Sequence, residues 1–267
     1  MPRDQGSLHR DLPTGWSPIR PAAGSTVPVK ALPFPRDVLF FAIPSAVMAL
    51  AIYVSVPRLD HAGAPLAVNV LAHFVLLLGG LGLLGVVLAF REAPGAIAVR
   101  MGFSPLRITD LLIGLLIGGC GLWLYDALQG ISSAAVSGLH LDAPDWLTRF
   151  HTDTAFLDIR MAGRWWLLDV FALFYIANVV GEELWWRGYI LPRQIAAGAR
   201  TAWLRNGLLW CGFHVFFAWD VLALVPIAIM IAAAVQWRRS VWIGIVAHAT
   251  LNSVTWPILW HGIIGPS

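Results

Sequence analysis

Residues 66–90 read LAVNVLAHFVLLLGGLGLLGVVLAF, a run without Asp, Glu, Lys or Arg. A helix crosses the bilayer core with about 20 apolar residues, so this run predicts a transmembrane helix. The whole chain agrees, because its 267 residues are 58% hydrophobic and only 12% charged, against about 25% charged in a soluble domain. No soluble domain of this size could bury so much apolar surface. A soluble enzyme, a disordered chain and a disulfide-stapled secreted protein are therefore excluded.

Six further stretches have comparable length and apolar content. The seven predicted spans are residues 38–56, 66–90, 108–128, 165–189, 202–218, 221–237 and 241–260. Only Trp219 and Asp220 separate the fifth from the sixth. Gly114 and Gly118 in the third span form a Gly-x-x-x-Gly pair, which is typical of close helix packing. We expect an all-α, polytopic transmembrane helix bundle of about seven spans, or eight if an interfacial helix is added.

Basic residues predict the orientation of these spans. With the N-terminus in the cytoplasm, the large majority of the 18 Lys and Arg residues lie in cytoplasmic segments, as the positive-inside rule requires. Residues 129–164 then form the longest loop, on the outer side. We expect an integral protein of a bacterial cytoplasmic (inner) membrane, in contact with membrane lipid. The basic residues lie in loops rather than on one face, so no nucleic-acid partner is expected.

The chain divides into three parts. Residues 1–36 are Pro-rich and polar, without the apolar run of a signal peptide, and we expect a disordered cytoplasmic tail. Residues 37–164 contain the first three spans and the outer loop. Residues 165–260 contain the last four spans and the polar groups discussed next.

Ionisable residues inside a span are costly and are functional candidates. Glu182 and Glu183 are adjacent near the inner end of the fourth span, and Arg187 follows Glu183 by four residues. Residues at i and i+4 share a helix face, so Arg187 and Glu183 can pair. Glu182, about 100° around the helix, is the freer carboxylate. The alternative is an interfacial charge cluster that anchors the span.

Two histidines lie in later spans. His214 is in the fifth, and His248 shares one face of the seventh with Asn252. Taken singly, such residues are more often packing or interhelical hydrogen-bonding groups. Counted from the nearest cytoplasmic Arg at about 1.5 Å per residue, both histidines lie roughly 13–14 Å deep and Glu182 roughly 7–8 Å deep. This similar depth favours one joint site in the cytoplasmic half of the bundle.

A carboxylate, two imidazoles and an amide suit the activation of a water molecule. Glu182 would be the general base, and His214 would orient the water or share its proton. His248 and Asn252 would hydrogen-bond the oxyanion of a tetrahedral intermediate. The same groups could instead bind a metal, because two His and one Glu form a known zinc site. The ligands would then be Glu182, His214 and His248.

Three motifs in this order resemble the CPBP family of intramembrane proteases. This family is also called CAAX prenyl protease 2 or Abi proteins and includes the Ras-converting enzyme. The motifs are Glu182-Glu183-x-x-x-Arg187, Trp210-x-x-x-His214 and His248-x-x-x-Asn252, within about residues 165–256. The second motif is usually Phe-x-x-x-His. Trp210 replaces one aromatic residue by another, which should spare the chemistry and change the pocket.

The resemblance implies a helical bundle with a polar cavity open to the cytoplasm, and a catalytic membrane domain over residues 165–260. It implies endopeptidase activity on a membrane-associated or CAAX-like peptide, which would be the partner. Glu182 with His214 would activate water, and His248 with Asn252 would form the oxyanion site. Glu183 and Arg187 would support them. The family has been called metalloproteases. We favour a metal-free mechanism, because Asn252 and Glu183 offer hydrogen-bonding partners, and zinc is the alternative.

Two other functions fit the same residues. A proton-coupled transporter would use Glu182 and the two histidines as a proton relay, although no internal repeat of the kind common in transporters is visible. A non-catalytic immunity or scaffold protein would retain the motifs for packing. Oligomeric state is not predicted.

Overall fold

The computed structural model describes residues 16–19, 27–92, 94–139, 143–198 and 200–265. Most of this part of the chain is helical. The α-helices, α1 to α13 in chain order, are Arg36–Leu50, Val56–His61, Leu66–Phe74, Gly80–Glu92, Ile97–Arg100, Ile108–Ser137, Asp145–Thr148, Trp166–Glu183, Leu191–Ala196, Ala202–Phe213, Val221–Arg238, Val241–Leu251 and Thr255–Ile264. π-helical turns at Ala51–Ser55, Val75–Gly79 and Leu184–Ile190 join successive helices into longer ones. Shorter 3₁₀ turns are Pro94–Ala96, His214–Phe217 and Asn252–Val254.

The described residues contain four helices that are long and apolar enough to cross a membrane. They are Arg36–His61, Leu66–Glu92, Ile108–Ser137 and Val221–Arg238. This confirms an all-α membrane protein, while the count of seven spans stays a prediction. The other three predicted spans have physical reasons to fall outside this set. The fourth carries several charges, α10 has only 12 residues, and a 3₁₀ turn at Asn252 interrupts the last.

The predicted N-terminal tail, residues 1–36, is described only in part. Residues 1–15 and 20–26 lie outside the described residues. Strand β1, Trp16–Ile19, pairs antiparallel with β2, Val27–Lys30. The N–H of Leu32 then donates to the carbonyl of Arg193, so this segment meets the end of α9.

The loop predicted over 129–164 is shorter in the structure, because α6 continues to Ser137. Residues 140–142 lie outside the described residues. The remainder contains the short helix α7 and a small hairpin, with β3 at Ala155–Phe156 and β4 at Ile159–Arg160. The indole N–H of Trp146 in α7 donates to the carbonyl of Ile52 at 2.9 Å. This bond connects the loop to the first long helix, Arg36–His61.

The fourth predicted span is longer than its apolar pattern suggested. The helical segment that begins at Trp166 continues through the π-helical turn and ends at Ala196. Arg187, the cytoplasmic Arg from which the depth of Glu182 is counted, is only 1% exposed and lies inside the bundle. The depth of roughly 7–8 Å, counted from Arg187, is therefore not the distance of Glu182 from the end of its helix. Counted at about 1.5 Å per residue, Glu182 lies roughly 21 Å from Ala196, near the middle of the helix.

Close glycine contacts set the spacing of the helices around this segment. A Cβ at Gly82 would lie 2.6 Å from Cα of Gly181, so the second long helix and α8 touch through their backbones. Gly181 directly precedes Glu182. This approach fixes the height at which the carboxylates enter the bundle, because neither backbone can shift without separating the two helices.

Candidate active site

Glu183 lies in a buried polar cluster with Arg187 and His248. Its Oε1 accepts hydrogen bonds from Nη1 of Arg187 at 2.9 Å and from Nδ1 of His248 at 3.1 Å. The first bond confirms the pairing predicted from the i,i+4 spacing. Gly244 on α12 makes room for the other oxygen, since a Cβ there would collide with Oε2 of Glu183. Glu183 therefore holds the fourth and seventh predicted spans together and orients His248.

Glu182 has different partners and faces a cavity. Its Oε2 accepts a hydrogen bond from the indole N–H of Trp210 at 2.7 Å. The same oxygen lies 4.0 Å from Nε2 of His214. Its Oε1 accepts a longer bond, 3.4 Å, from the amide of Asn178. Glu182 is buried yet lines the cavity, whereas Glu183 does not.

Asn178 is a site residue that the sequence argument did not identify. Its side-chain oxygen accepts a hydrogen bond from Nδ2 of Asn252 at 2.7 Å, and its amide reaches Glu182. It thus links the first and third motifs. A signal was available, because Asn178 precedes Glu182 by four residues and shares its helix face. A polar amide at that position of a predicted span indicates a candidate site residue, as Asn252 does.

Hydrogen bonds determine which nitrogen of each histidine carries the proton. The Nδ1 of His214 lies 2.9 Å from the carbonyl of Trp210, and a carbonyl only accepts, so Nδ1 is the protonated nitrogen. The Nδ1 of His248 donates in the same way to Glu183. In a neutral ring the Nε2 of each histidine is then an acceptor. His248 can donate from Nε2 only as an imidazolium.

The polar groups form the floor of a cavity of about 430 Å³. The floor residues are Asn178, Glu182, His214, His248 and Asn252. The walls are largely aromatic and include Phe74, Trp146, Phe150, Phe174, Phe217 and Trp219. The structure therefore brings four of the six sequence-predicted residues, together with Asn178, to the floor of the cavity. The fifth, Glu183, contacts His248 without lining the cavity. The sixth, Arg187, contacts Glu183 and lies 4.4 Å from the Trp210 ring centroid.

The far end of the cavity lies at the loop predicted to be outside. Trp146 and Phe150 belong to that loop, and Asp220 belongs to the turn between the fifth and sixth predicted spans. The pKa of Asp220 is raised above its ordinary value, because burial outweighs the opposite effect of hydrogen bonds from Tyr125 and Gln129. The positive-inside topology places both segments outside, whereas the resemblance implies a cavity open to the cytoplasm. These two expectations cannot both hold.

The ligand set considered for a metal is not arranged as one. Among the residues that the structure describes, no group of three or more His, Cys, Asp or Glu side chains is placed to hold a metal ion. The Nε2 of His214 lies 4.0 Å from Oε2 of Glu182, whereas two ligands bound to one zinc ion at about 2 Å with a tetrahedral angle lie about 3.3 Å apart. In this arrangement these residues do not fit a metal ion.

A comparison with known families agrees with the motifs. Residues 164–254 match the family model described as Rce1-like, Type II CAAX prenyl endopeptidase Rce1-like. The match includes all three motifs and confirms the resemblance to CAAX-type intramembrane proteases. No curated protein and no solved structure matches the chain. The matched family consists of endopeptidases. All the polar residues at the floor of the cavity lie within the matched segment.

Proposed function

We propose that this protein is an intramembrane endopeptidase that hydrolyses a peptide bond in a membrane-associated or CAAX-like substrate. One observation carries the proposal. Glu182, His214 and His248, from three different helical segments, line the same cavity together with Asn252. Packing alone does not require ionisable side chains from separate helices to line the same cavity. The endopeptidase family matched by residues 164–254 supports the same reaction.

In the proposed reaction Glu182 and His214 activate a water molecule. Their facing atoms, Oε2 and Nε2, are 4.0 Å apart, and both are acceptors when the carboxylate is ionised and the ring is neutral. A water within hydrogen-bond reach of both would donate one proton to each. Its oxygen lone pairs would then face the substrate carbonyl. Glu182 would accept the proton as the water attacks and would pass it to the leaving nitrogen as the C–N bond breaks.

Asn252 and His248 would stabilise the oxyanion. The amide of Asn252 donates one N–H to Asn178, which leaves its second N–H for the substrate oxygen. His248 would donate from Nε2 in its imidazolium form, with Glu183 as the adjacent counter-charge. Fixed donors of this kind stabilise charge that develops in the transition state. Glu183 would be a positioning residue, since it touches His248 and does not line the cavity.

Replacement of Glu182 tests the proposal. We expect Glu182→Ala to lower kcat by about 10²- to 10⁴-fold, because the general base is lost, and His248→Ala to lower it comparably. The probes are an internally quenched fluorogenic peptide with a farnesylated CAAX-type end and the same peptide without the lipid. Cleavage is measured on the full chain in lipid nanodiscs. Retention of both probes by Glu182→Gln, detected by mass spectrometry, would add binding evidence.

Asp110→Asn is the matched control for this test. Asp110 is also a buried carboxylate, and it pairs with Arg238 rather than with a cavity residue. We expect it to keep activity within a few-fold of the unsubstituted protein. Normal cleavage by both Glu182→Ala and His248→Ala would contradict the assignment. If only the lipid-free probe is cleaved, the assignment as a peptidase stands, but dependence of cleavage on a prenyl group is excluded.

A further inference from the structure

Trp210 has a role that its aromatic character alone does not explain. Resting on the proposed function, we infer that Trp210 is a positioning residue that holds the carboxylate of Glu182 in the orientation needed for water activation. Its indole N–H donates to Oε2 of Glu182 at 2.7 Å. Both residues are buried, so water does not compete freely for this bond. A hydrogen bond to a carboxylate is among the stronger kinds in proteins.

The bond acts on the oxygen that faces His214. Oε2 of Glu182 is the atom 4.0 Å from Nε2 of His214. The other contact of this carboxylate, from Asn178 to Oε1, is 3.4 Å long and weaker. Rotation of the carboxylate about its last bond would turn its oxygens away from the indole N–H and from Nε2 of His214. The indole N–H therefore fixes the plane of the carboxylate and the direction in which the free lone pair of Oε2 points.

Trp210 also contacts the other members of the site. Its backbone carbonyl accepts the proton of His214 Nδ1, and its ring lies edge-on to the His214 ring, 4.6 Å between centroids. The His248 ring is edge-on at 5.4 Å. One residue thus sets the tautomer of His214 through its backbone and the carboxylate of Glu182 through its side chain.

The contact distinguishes this chain from the pattern it resembles. The second motif usually carries Phe at the position of Trp210, and from the sequence we expected the exchange to spare the chemistry. A phenyl ring would retain the edge-on packing against His214 but has no N–H to donate. Trp210→Phe therefore removes the hydrogen bond while keeping an aromatic residue and the backbone carbonyl.

We expect Trp210→Phe to lower kcat roughly ten- to hundred-fold, the range that corresponds to loss of one charge-assisted hydrogen bond, with KM changed by less than about three-fold. Trp186→Phe is the matched control. Trp186 is 0% exposed and Trp210 1% exposed, and the indole N–H of Trp186 has no hydrogen-bond partner among the described residues. The control therefore loses a similar volume but no hydrogen bond, and its kcat should stay near that of the unsubstituted protein.

An NMR measurement tests the bond without any cleavage assay. In protein labelled with ¹⁵N at the tryptophan indole, the Trp210 signal is the one lost in Trp210→Phe. In Glu182→Ala this signal should move upfield, because the proton loses its carboxylate acceptor, while the Trp186 signal stays in place. An unmoved Trp210 signal would overturn the inference. So would unchanged kcat in Trp210→Phe, or an equal loss in Trp186→Phe.

The cleavage assay and the NMR measurement together separate this inference from the proposed function. A moved signal with reduced kcat in Trp210→Phe alone supports both. If the unsubstituted protein cleaves neither probe, the proposed function fails, and the positioning role fails with it, even where the NMR signal still reports the bond. If cleavage requires Glu182 but Trp210→Phe is fully active, the proposed function stands and the role of Trp210 is overturned.

Discussion

Glu182 and Glu183 are neighbours in the chain but face different surroundings. Glu183 is enclosed by Arg187 and His248, whereas Glu182 lines the cavity and is held by Trp210. The helical rotation of about 100° between adjacent residues produces this division. At the scale of single residues, one carboxylate is therefore suited to chemistry and the other to structure.

Arg187→Met should destabilise the protein because it leaves the buried carboxylate of Glu183 without its counter-charge. Breaking one side of a buried pair costs about 3 kcal/mol or more, so we expect a clearly lower unfolding temperature in detergent. The double variant Glu183→Leu with Arg187→Met should recover much of the loss, since no lone charge remains. A double variant as unstable as Arg187→Met would contradict the pairing as the cause.

At the scale of helices, glycines decide how closely elements meet. Gly114 and Gly118 on α6 face α12, where a Cβ at Gly118 would lie 2.7 Å from the carbonyl of Ala247 and collide with Thr250. The close packing predicted from the Gly-x-x-x-Gly pair is thereby confirmed. Its partner α12 carries His248, so this contact also sets the position of a proposed site residue.

Gly118→Leu should therefore lower the unfolding temperature in detergent, whereas Gly119→Leu should not. The adjacent Gly119 is exposed, and a Cβ added there would meet no group of a neighbouring helix within 4 Å among the described residues. Forcing a side chain into a closed contact typically costs about 1–3 kcal/mol. Equal stability of the two variants would show that α6 and α12 are not in close contact in the membrane.

At the scale of the whole molecule, the bundle has two different ends. One end carries the loop with α7 and the turn at Asp220, where the cavity extends. The other end carries Arg200 and the turn at Arg239. The arginine count predicts that the second end lies in the cytoplasm. Removal of Arg187 from that count leaves the bias unchanged in direction, because the remaining basic loop residues still favour that side.

Single cysteines should report this sidedness. In a variant with Cys120 and Cys211 replaced by Ser, Asp153→Cys and Thr255→Cys should react with a membrane-impermeant maleimide in intact cells, and Thr201→Cys should react only after lysis. Asp153 and Thr201 are exposed at opposite ends, and Thr255 lines the cavity.

Two results would contradict different parts of this prediction. Labelling of Thr201→Cys but not Asp153→Cys in intact cells would invert the orientation predicted from the arginines. Labelling of Thr255→Cys from the same side as Thr201→Cys would contradict the direction of the cavity, whichever way the bundle is inserted. Either way the measurement separates the positive-inside topology from the cytoplasmic opening that the family resemblance implies.

The sequence by itself determined the membrane-spanning helical class, the three motifs and the Glu183–Arg187 pair. Each depends on composition or on neighbours along one helix, and helix periodicity fixes those contacts without reference to the rest of the chain. It did not reveal that Arg187 is buried, because a basic residue after an apolar run has the same pattern at an interface and inside a bundle.

Only the tertiary structure decided which side chains meet across helices. The bond from Trp210 to Glu182, the link from Asn178 to Asn252 and the cavity above them depend on how far each helix is rotated and shifted against its neighbours. Those shifts are set by backbone contacts such as that of Gly82 with Gly181. Hydropathy identifies that a helix is buried in the membrane, but close packing of specific surfaces determines its rotation and depth.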